Sequence, residues 1–123
     1  MKINTSTTSV ILVVGGSGSR FSSLNEQPKQ LSKLNNDYIL MHIIKNLNKH
    51  GLNHFILPLG YKINFFKKFF NSKKNIKKYK FNLLSKNFKN FNLKKNRINI
   101  SLFNAGKNTN KMKRVIKSLK YII

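Results

Sequence analysis

The chain has 123 residues, 40% of them hydrophobic, and 25 lysines and arginines against two acidic side chains give a formal charge of +23. That length builds one domain around one core, so a frayed polar segment over 1–8 and a single folded unit over 9–123 are expected. The absence of cysteine excludes a disulfide framework and thiolate metal ligation and fits a cytoplasmic protein, and no apolar run is long enough to span a membrane, so no membrane partner is expected.

In chain order, Val10, Ile11, Leu12, Val13 and Val14 form an unbroken apolar run, the pattern of a parallel strand buried on both faces. A glycine-containing loop follows and reaches about Asn36. Leu40, Ile43, Ile44 and Leu47 recur at helical spacing, with Gly51 placed for a left-handed cap. Phe55, Ile56 and Leu57 read as a short second strand. Ile63, Phe66 and Phe70, joined by Phe65 and Phe69, make an apolar stripe on a lysine-rich helix, and phenylalanine there is expected in the core. Between Ser72 and Arg97 the apolar residues Phe81, Leu83, Leu84, Phe88, Phe91 and Leu93 suggest a weak hairpin. Ile98, Ile100 and Leu102 alternate as in a strand, and Val115, Ile116, Leu119 and Ile122 form a last helical stripe. The alternation of strand and helix predicts an α/β fold: a Rossmann-like, mostly parallel sheet with helices on both faces and the glycine loop at the carboxyl end of its first strand.

That loop has the composition of a phosphate cradle. Gly15, Gly16 and Gly18 carry no Cβ, so their backbone N–H groups can approach an anion closely. Arg20 offers a planar fork for phosphate oxygens, and Lys29, stiffened by Pro28, offers a compact charge. Spacing excludes two commoner motifs. A P-loop starting at Gly15 requires glycine where Arg20 stands and lysine where Phe21 stands. A dinucleotide fingerprint starting at Gly16 requires glycine at Phe21, and no acidic residue beyond Asp37 is available for a ribose.

Gly15-Gly16-Ser17-Gly18-Ser19-Arg20 followed by Pro28-Lys29 resembles the signature of the sugar nucleotidyltransferases, an apolar strand, Gly-Gly-x-Gly-Thr-Arg and a later Pro-Lys-Pro. Within that family, Tyr38 to Lys45, His50-Gly51, Gly60-Tyr61-Lys62, the strand from Ile98 to Gly106, and Thr109 with Arg114 are similar to the glucose-1-phosphate cytidylyltransferases. The resemblance implies transfer of CMP from CTP, a nucleoside triphosphate, to a sugar 1-phosphate, namely glucose 1-phosphate, with release of pyrophosphate. It implies Arg20 at the leaving end of the triphosphate and Lys29 near the α-phosphate as catalytic groups. Val13, Gly15, Gly16, Gly18, Ser19, Thr109 and Arg114 would be nucleotide contacts. Departures are Val14 for alanine, Ser19 for threonine, Gln30 for proline, Asn104-Ala105 for Asp-Thr, and Lys111-Met112-Lys113 before the arginine. The family uses magnesium (Mg2+), whose aspartate ligand would lie beyond Ile123, and only Glu26 and Asp37 are acidic here. The chain is therefore expected to be a truncated, nucleotide-binding part of such an enzyme, compatible with a homo-oligomer, and the resemblance leaves open both activity and inactivity of this part alone.

Three other readings stand beside this one. A basic nucleic-acid-binding module over 62–97 would stack Phe65, Phe66, Phe69, Phe70, Tyr79 and Phe81 on bases while lysines meet phosphates, which requires those rings to be exposed. An interaction fragment would complete its fold with strands from a second chain. The charge itself predicts nonspecific polyanion binding that weakens with salt. Yet lysine, asparagine, isoleucine and phenylalanine together make up roughly half of the chain, a bias expected from A- and T-rich codons. His42, His50 and His54 are too widely spaced for a two-ligand helical turn and read as structural.

Overall fold

The computed structural model describes residues 8–14, 27–60, 62–84, 93, 96–106 and 110–122. In chain order these form β1 (Ser9–Ile11), a 3-10 turn (Lys29–Leu31), a small antiparallel pair β2 (Lys33–Leu34) and β3 (Asp37–Tyr38), and α1 (Ile39–Lys49). Then come β4 (His54–Leu59), α2 (Ile63–Asn71), α3 (Lys73–Tyr79), β5 (Phe81–Leu83), β6 (Ile98–Asn104), α4 (Lys111–Ser118) and a closing 3-10 turn (Leu119–Tyr121). Strands β1, β4, β6 and β5 lie in that order in one sheet, and every pair is parallel. The expected α/β architecture is therefore the observed one.

The first strand differs from its expectation. It pairs over only three residues at an edge of the described sheet and is half-buried, although Val14 beyond it is buried. Leu12 still donates its N–H to the Ile56 carbonyl at 2.8 Å. The next parallel rung would come from residue 58 to Leu12, and Pro58 has no N–H to give. The ladder stops there although the apolar run continues.

Strand β4 is buried at all six positions, and its alternation sorts the helices. Phe55, Leu57 and Leu59 join Leu40, Met41 and Ile44 of α1 and Phe66, Phe69 and Phe70 of α2 in one core. The opposite face carries α4 and the turn after it, where Tyr121 stacks on Phe103 with centroids 4.4 Å apart. Helix α1 ends as expected: Gly51 (φ 93°) gives its N–H to Asn48, and Leu52 gives its own to Leu47, a Schellman closure.

The hairpin expected between Ser72 and Arg97 is absent among the described residues. Instead, α3 and the parallel strand β5 occupy 73–83, while 85–92, 94 and 95 lie outside them. Ile76 and Tyr79, three apart, turn inward while Lys73, Lys74, Lys77 and Lys78 stay outside, so the segment did carry a helical period. Ser72 caps this helix, its hydroxyl accepting from Asn75 N–H, and Lys80 closes it in a left-handed conformation. Tyr79 and Phe81 stack at 5.4 Å and Phe70 meets Phe81 at 5.0 Å, and each buried ring contributes about 2–3 kcal/mol by area. Phe66, Phe69, Phe70, Tyr79 and Phe81 are at most 7% exposed and Phe65 is half-buried, so five of the six rings required for base stacking present no free face.

Two buried ionisable groups tie this frame together. Asp37 accepts from the Tyr79 hydroxyl at 2.6 Å, the Lys45 ammonium at 2.9 Å and its neighbour's N–H at 2.9 Å, joining β3, α1 and α3. Burial opposes its charge, but those bonds outweigh burial and hold its pKa down to about 2. On the other face, His54 shares hydrogen bonds with Ser9 at 2.8 Å and Ser101 at 2.9 Å across β1, β4 and β6, and burial pushes its pKa down to about 4. His42 donates to the Leu34 carbonyl at 2.7 Å and so pins β2 to α1.

Both shifts make stability fall with acidity. An unfolded histidine takes its proton near 6.5 and native His54 near 4, so stability present in full above pH 6.5 is lost as pH falls toward 4. The loss is about 3 kcal/mol. Asp37 adds a second loss as pH falls from 3.8 to about 2, of about 2 kcal/mol. Urea unfolding at stepped pH is expected to show both, with the first absent in His54→Gln. Asp37→Ala, which strands the buried Tyr79 hydroxyl, is expected to cost about 2 kcal/mol at neutral pH in the same assay.

Candidate functional site

In a parallel sheet every strand delivers its carboxyl end to the same edge, and backbone groups that leave the ladder there are open to ligands. Here β1 runs out through Val13 and Val14, β4 through Gly60, and β6 through Ala105 and Gly106. One side chain from α4 joins the three ends. The Arg114 guanidinium is 1% exposed and donates from Nη1 to the Val14 carbonyl at 3.0 Å, linking residues 100 positions apart. Burial lowers its pKa from the ordinary value, the expected cost of taking a cation out of water.

Gly60 makes this placement possible. A β-carbon there would run into the Gly106 carbonyl oxygen and come within 2.8 Å of Arg114 Nη2. The end of β4 is thus bare so that the guanidinium can lie across it. Gly106 itself adopts φ 107°, which favours glycine, and its N–H is held by Asn104 Oδ1 at 2.9 Å. Ala105 donates its N–H to the Leu59 carbonyl, and its own carbonyl accepts from Lys117 Nζ at 2.7 Å. Asn110 caps helix α4, its side chain accepting from Lys113 N–H at 2.8 Å.

Of the residues singled out by sequence, Gly15, Gly16, Gly18, Ser19, Arg20 and Thr109 lie outside the described residues. Val13 is half-buried on the segment that leads directly into that loop. Lys29 is exposed at the start of a 3-10 turn whose Leu31 is buried against α1, with Pro28 buried before it. Arg114 and Val14 are brought together. The glycine at 60 and the Val14 carbonyl as the arginine's acceptor were not anticipated as parts of a site. Gly60 directly after an apolar strand was the available signal.

Among the described residues no group of three histidine or acidic side chains could hold a metal. Asp37, the one acidic residue described, already answers Tyr79 and Lys45. A cleft of about 350 Å³ lined by Lys45, Lys49, Lys78 and Lys80 lies elsewhere, at the start of β6. It sits where α1 and α3 end, near the negative ends of their dipoles, where lysines are common, and Lys45 is already bonded to Asp37.

No protein-family model matches the chain. Over 61 residues it is 41% identical to a Bacillus subtilis protein named as a probable glucose-1-phosphate cytidylyltransferase. The match takes in 49% of this chain and 24% of that protein. This similarity supports a nucleotidyltransferase relationship over the part matched.

Gly60→Ala is expected to force Arg114 off the Val14 carbonyl and to destabilise the fold by about 1–3 kcal/mol, read as a lower urea midpoint. Gly60→Ser is expected to do at least as much, whereas Gly51→Ala, remote from the arginine, should leave the Arg114 contact intact.

Proposed function

We propose that the carboxyl edge of this sheet binds a nucleoside triphosphate for nucleotidyl transfer to a sugar 1-phosphate, with CTP and glucose 1-phosphate as substrates. The observation that carries this reading is the buried Arg114 guanidinium fastened to the Val14 carbonyl. Its acceptor, Val14, immediately precedes Gly15 in the chain, so a fixed positive charge is held at the residue that leads into the glycines, whose N–H groups can turn toward phosphate. The similarity to a protein named as a probable cytidylyltransferase supports the same chemistry and suggests the base and the sugar.

In the proposed reaction an oxygen of the sugar 1-phosphate attacks the α-phosphorus of CTP. A new P–O bond forms, the bond from the α-phosphorus to the bridging oxygen breaks, and pyrophosphate departs with that electron pair. Negative charge redistributes over the phosphate oxygens, so aligned donors and cations lower the barrier more than a proton transfer would. Gly15, Gly16, Gly18 and Ser19 would cradle the triphosphate, Arg20 would hold the leaving end, and Lys29 would meet the α-phosphate. Val13 and Thr109 would touch the nucleoside. Arg114 would act through Val14, whose carbonyl its Nη1 already holds. The described residues do not make a magnesium site, and no step is assigned to that ion.

Calorimetry with CTP at moderate salt tests the reading, with UTP and short single-stranded DNA as controls. Saturable binding that prefers CTP and weakens roughly tenfold or more in Arg20→Ala and in Lys29→Ala is expected. Binding that follows total phosphate charge, with every ligand fading equally as salt rises, would refute it.

A further inference from the structure

Seven large hydrophobic side chains stand exposed among the described residues, and five of them, Met112, Val115, Ile116, Leu119 and Ile122, belong to one segment. Met112, Val115 and Ile116 share one face of α4 at helical spacing, Leu119 opens the closing 3-10 turn and Ile122 follows that turn. Met112, Ile116 and Leu119 are 68%, 56% and 55% exposed. The helical stripe that the spacing of Val115, Ile116, Leu119 and Ile122 predicts therefore faces outward. The buried face of α4 and its closing turn is Arg114, Ser118 and Tyr121 instead, because the guanidinium fits the bare end of β4 and Tyr121 stacks on Phe103. Exposed Lys111 flanks the stripe on one side and Lys113 and Lys120 on the other, and no acidic residue occurs anywhere after Asp37.

We propose that this face is a docking surface for an anionic lipid bilayer. Its occupant must be apolar at the centre and negative around it. A nucleic-acid backbone supplies the charge but no layer for five aliphatic side chains. A second copy would bring another +23 against the same charge. A bilayer carrying anionic headgroups presents acyl chains beneath a negative plane, which matches a lysine-rimmed apolar stripe lying flat in the interface. No helix described is long and apolar enough to cross a membrane, but lying on one needs no span. The expectation of no membrane partner drew only on the missing span.

The test uses the full chain and two kinds of vesicle, phosphatidylcholine alone and phosphatidylcholine mixed with phosphatidylglycerol, at about 0.15 M salt to weaken adsorption by charge alone. Sedimentation with the mixed vesicles is expected to be at least roughly tenfold stronger for the wild type than for Ile116→Ser/Leu119→Ser, and negligible on phosphatidylcholine. The chain has no tryptophan, so Ile116→Trp supplies a single reporter whose emission should shift to the blue on the mixed vesicles. Equal binding by the double variant, or a reporter that stays in water while the protein sediments, would mean adsorption by charge alone and overturn the proposal. Concentration-dependent self-association without lipid, abolished by the double variant, would assign the stripe to a second copy and overturn it equally.

Discussion

Strand β4 is buried along all six residues from His54 to Leu59, so both of its faces need cover and both of its edges need partners. The rest of the molecule is arranged around that requirement. Helices α1 and α2 cover the face of Phe55, Leu57 and Leu59, and α4 with its closing turn covers the other. Because His54 lies on that second face between β1 and β6, its ring must be neutral and must share its nitrogens with Ser9 and Ser101. Because Pro58 has no N–H, β1 is released after Leu12. Its last residues are thereby free to turn toward the carboxyl edge, where Arg114 takes the Val14 carbonyl.

Charge follows the same geometry. A chain with 25 cations and two acids cannot neutralise itself by pairing, and most lysines remain on the surface, where solvent screens them. The buried exceptions are informative. Asp37 is stabilised as an anion by three donors and serves as a structural anchor between β3, α1 and α3. Arg114 is stabilised as a cation by a backbone carbonyl at the one edge of the sheet where a phosphate-bearing ligand is proposed to arrive. A buried guanidinium there adds field without adding a flexible arm, which is what electrostatic stabilisation of a phosphoryl centre requires. The lysines around the opposite cleft lie near the carboxyl ends of α1 and α3, and Lys45 among them anchors Asp37.

Much of the fold was legible in the chain because short-range patterns carry it. The spacing of Leu40, Ile44 and Leu47, the glycine at 51 and the alternation of Ile98, Ile100 and Leu102 each correspond to an observed element. The phenylalanines of α2 are in the core, as their period requires. Composition masks period in 73–83: lysines surround the helical pair Ile76 and Tyr79, and a helix leading to a parallel strand stands where a hairpin is expected. The final stripe is helical, as its spacing predicts, but it faces outward, although an apolar face normally outcompetes one bearing an arginine for burial. Nothing local announces that Gly60 and Gly106 leave a berth for that arginine.

By itself, the sequence determined the alternation of strands and helices, the glycine-rich segment after the first apolar run, and the overwhelming positive charge. These depend on neighbours a few residues apart, and side-chain type alone expresses them. Only the tertiary structure decided where the first strand stops pairing, which histidine is buried and neutral, which face of α4 turns inward, and that Arg114 serves the carbonyl of a residue 100 positions earlier. Those outcomes depend on which atoms meet across the sheet, and a proline, a bare glycine or a stacked tyrosine on a distant element settles them.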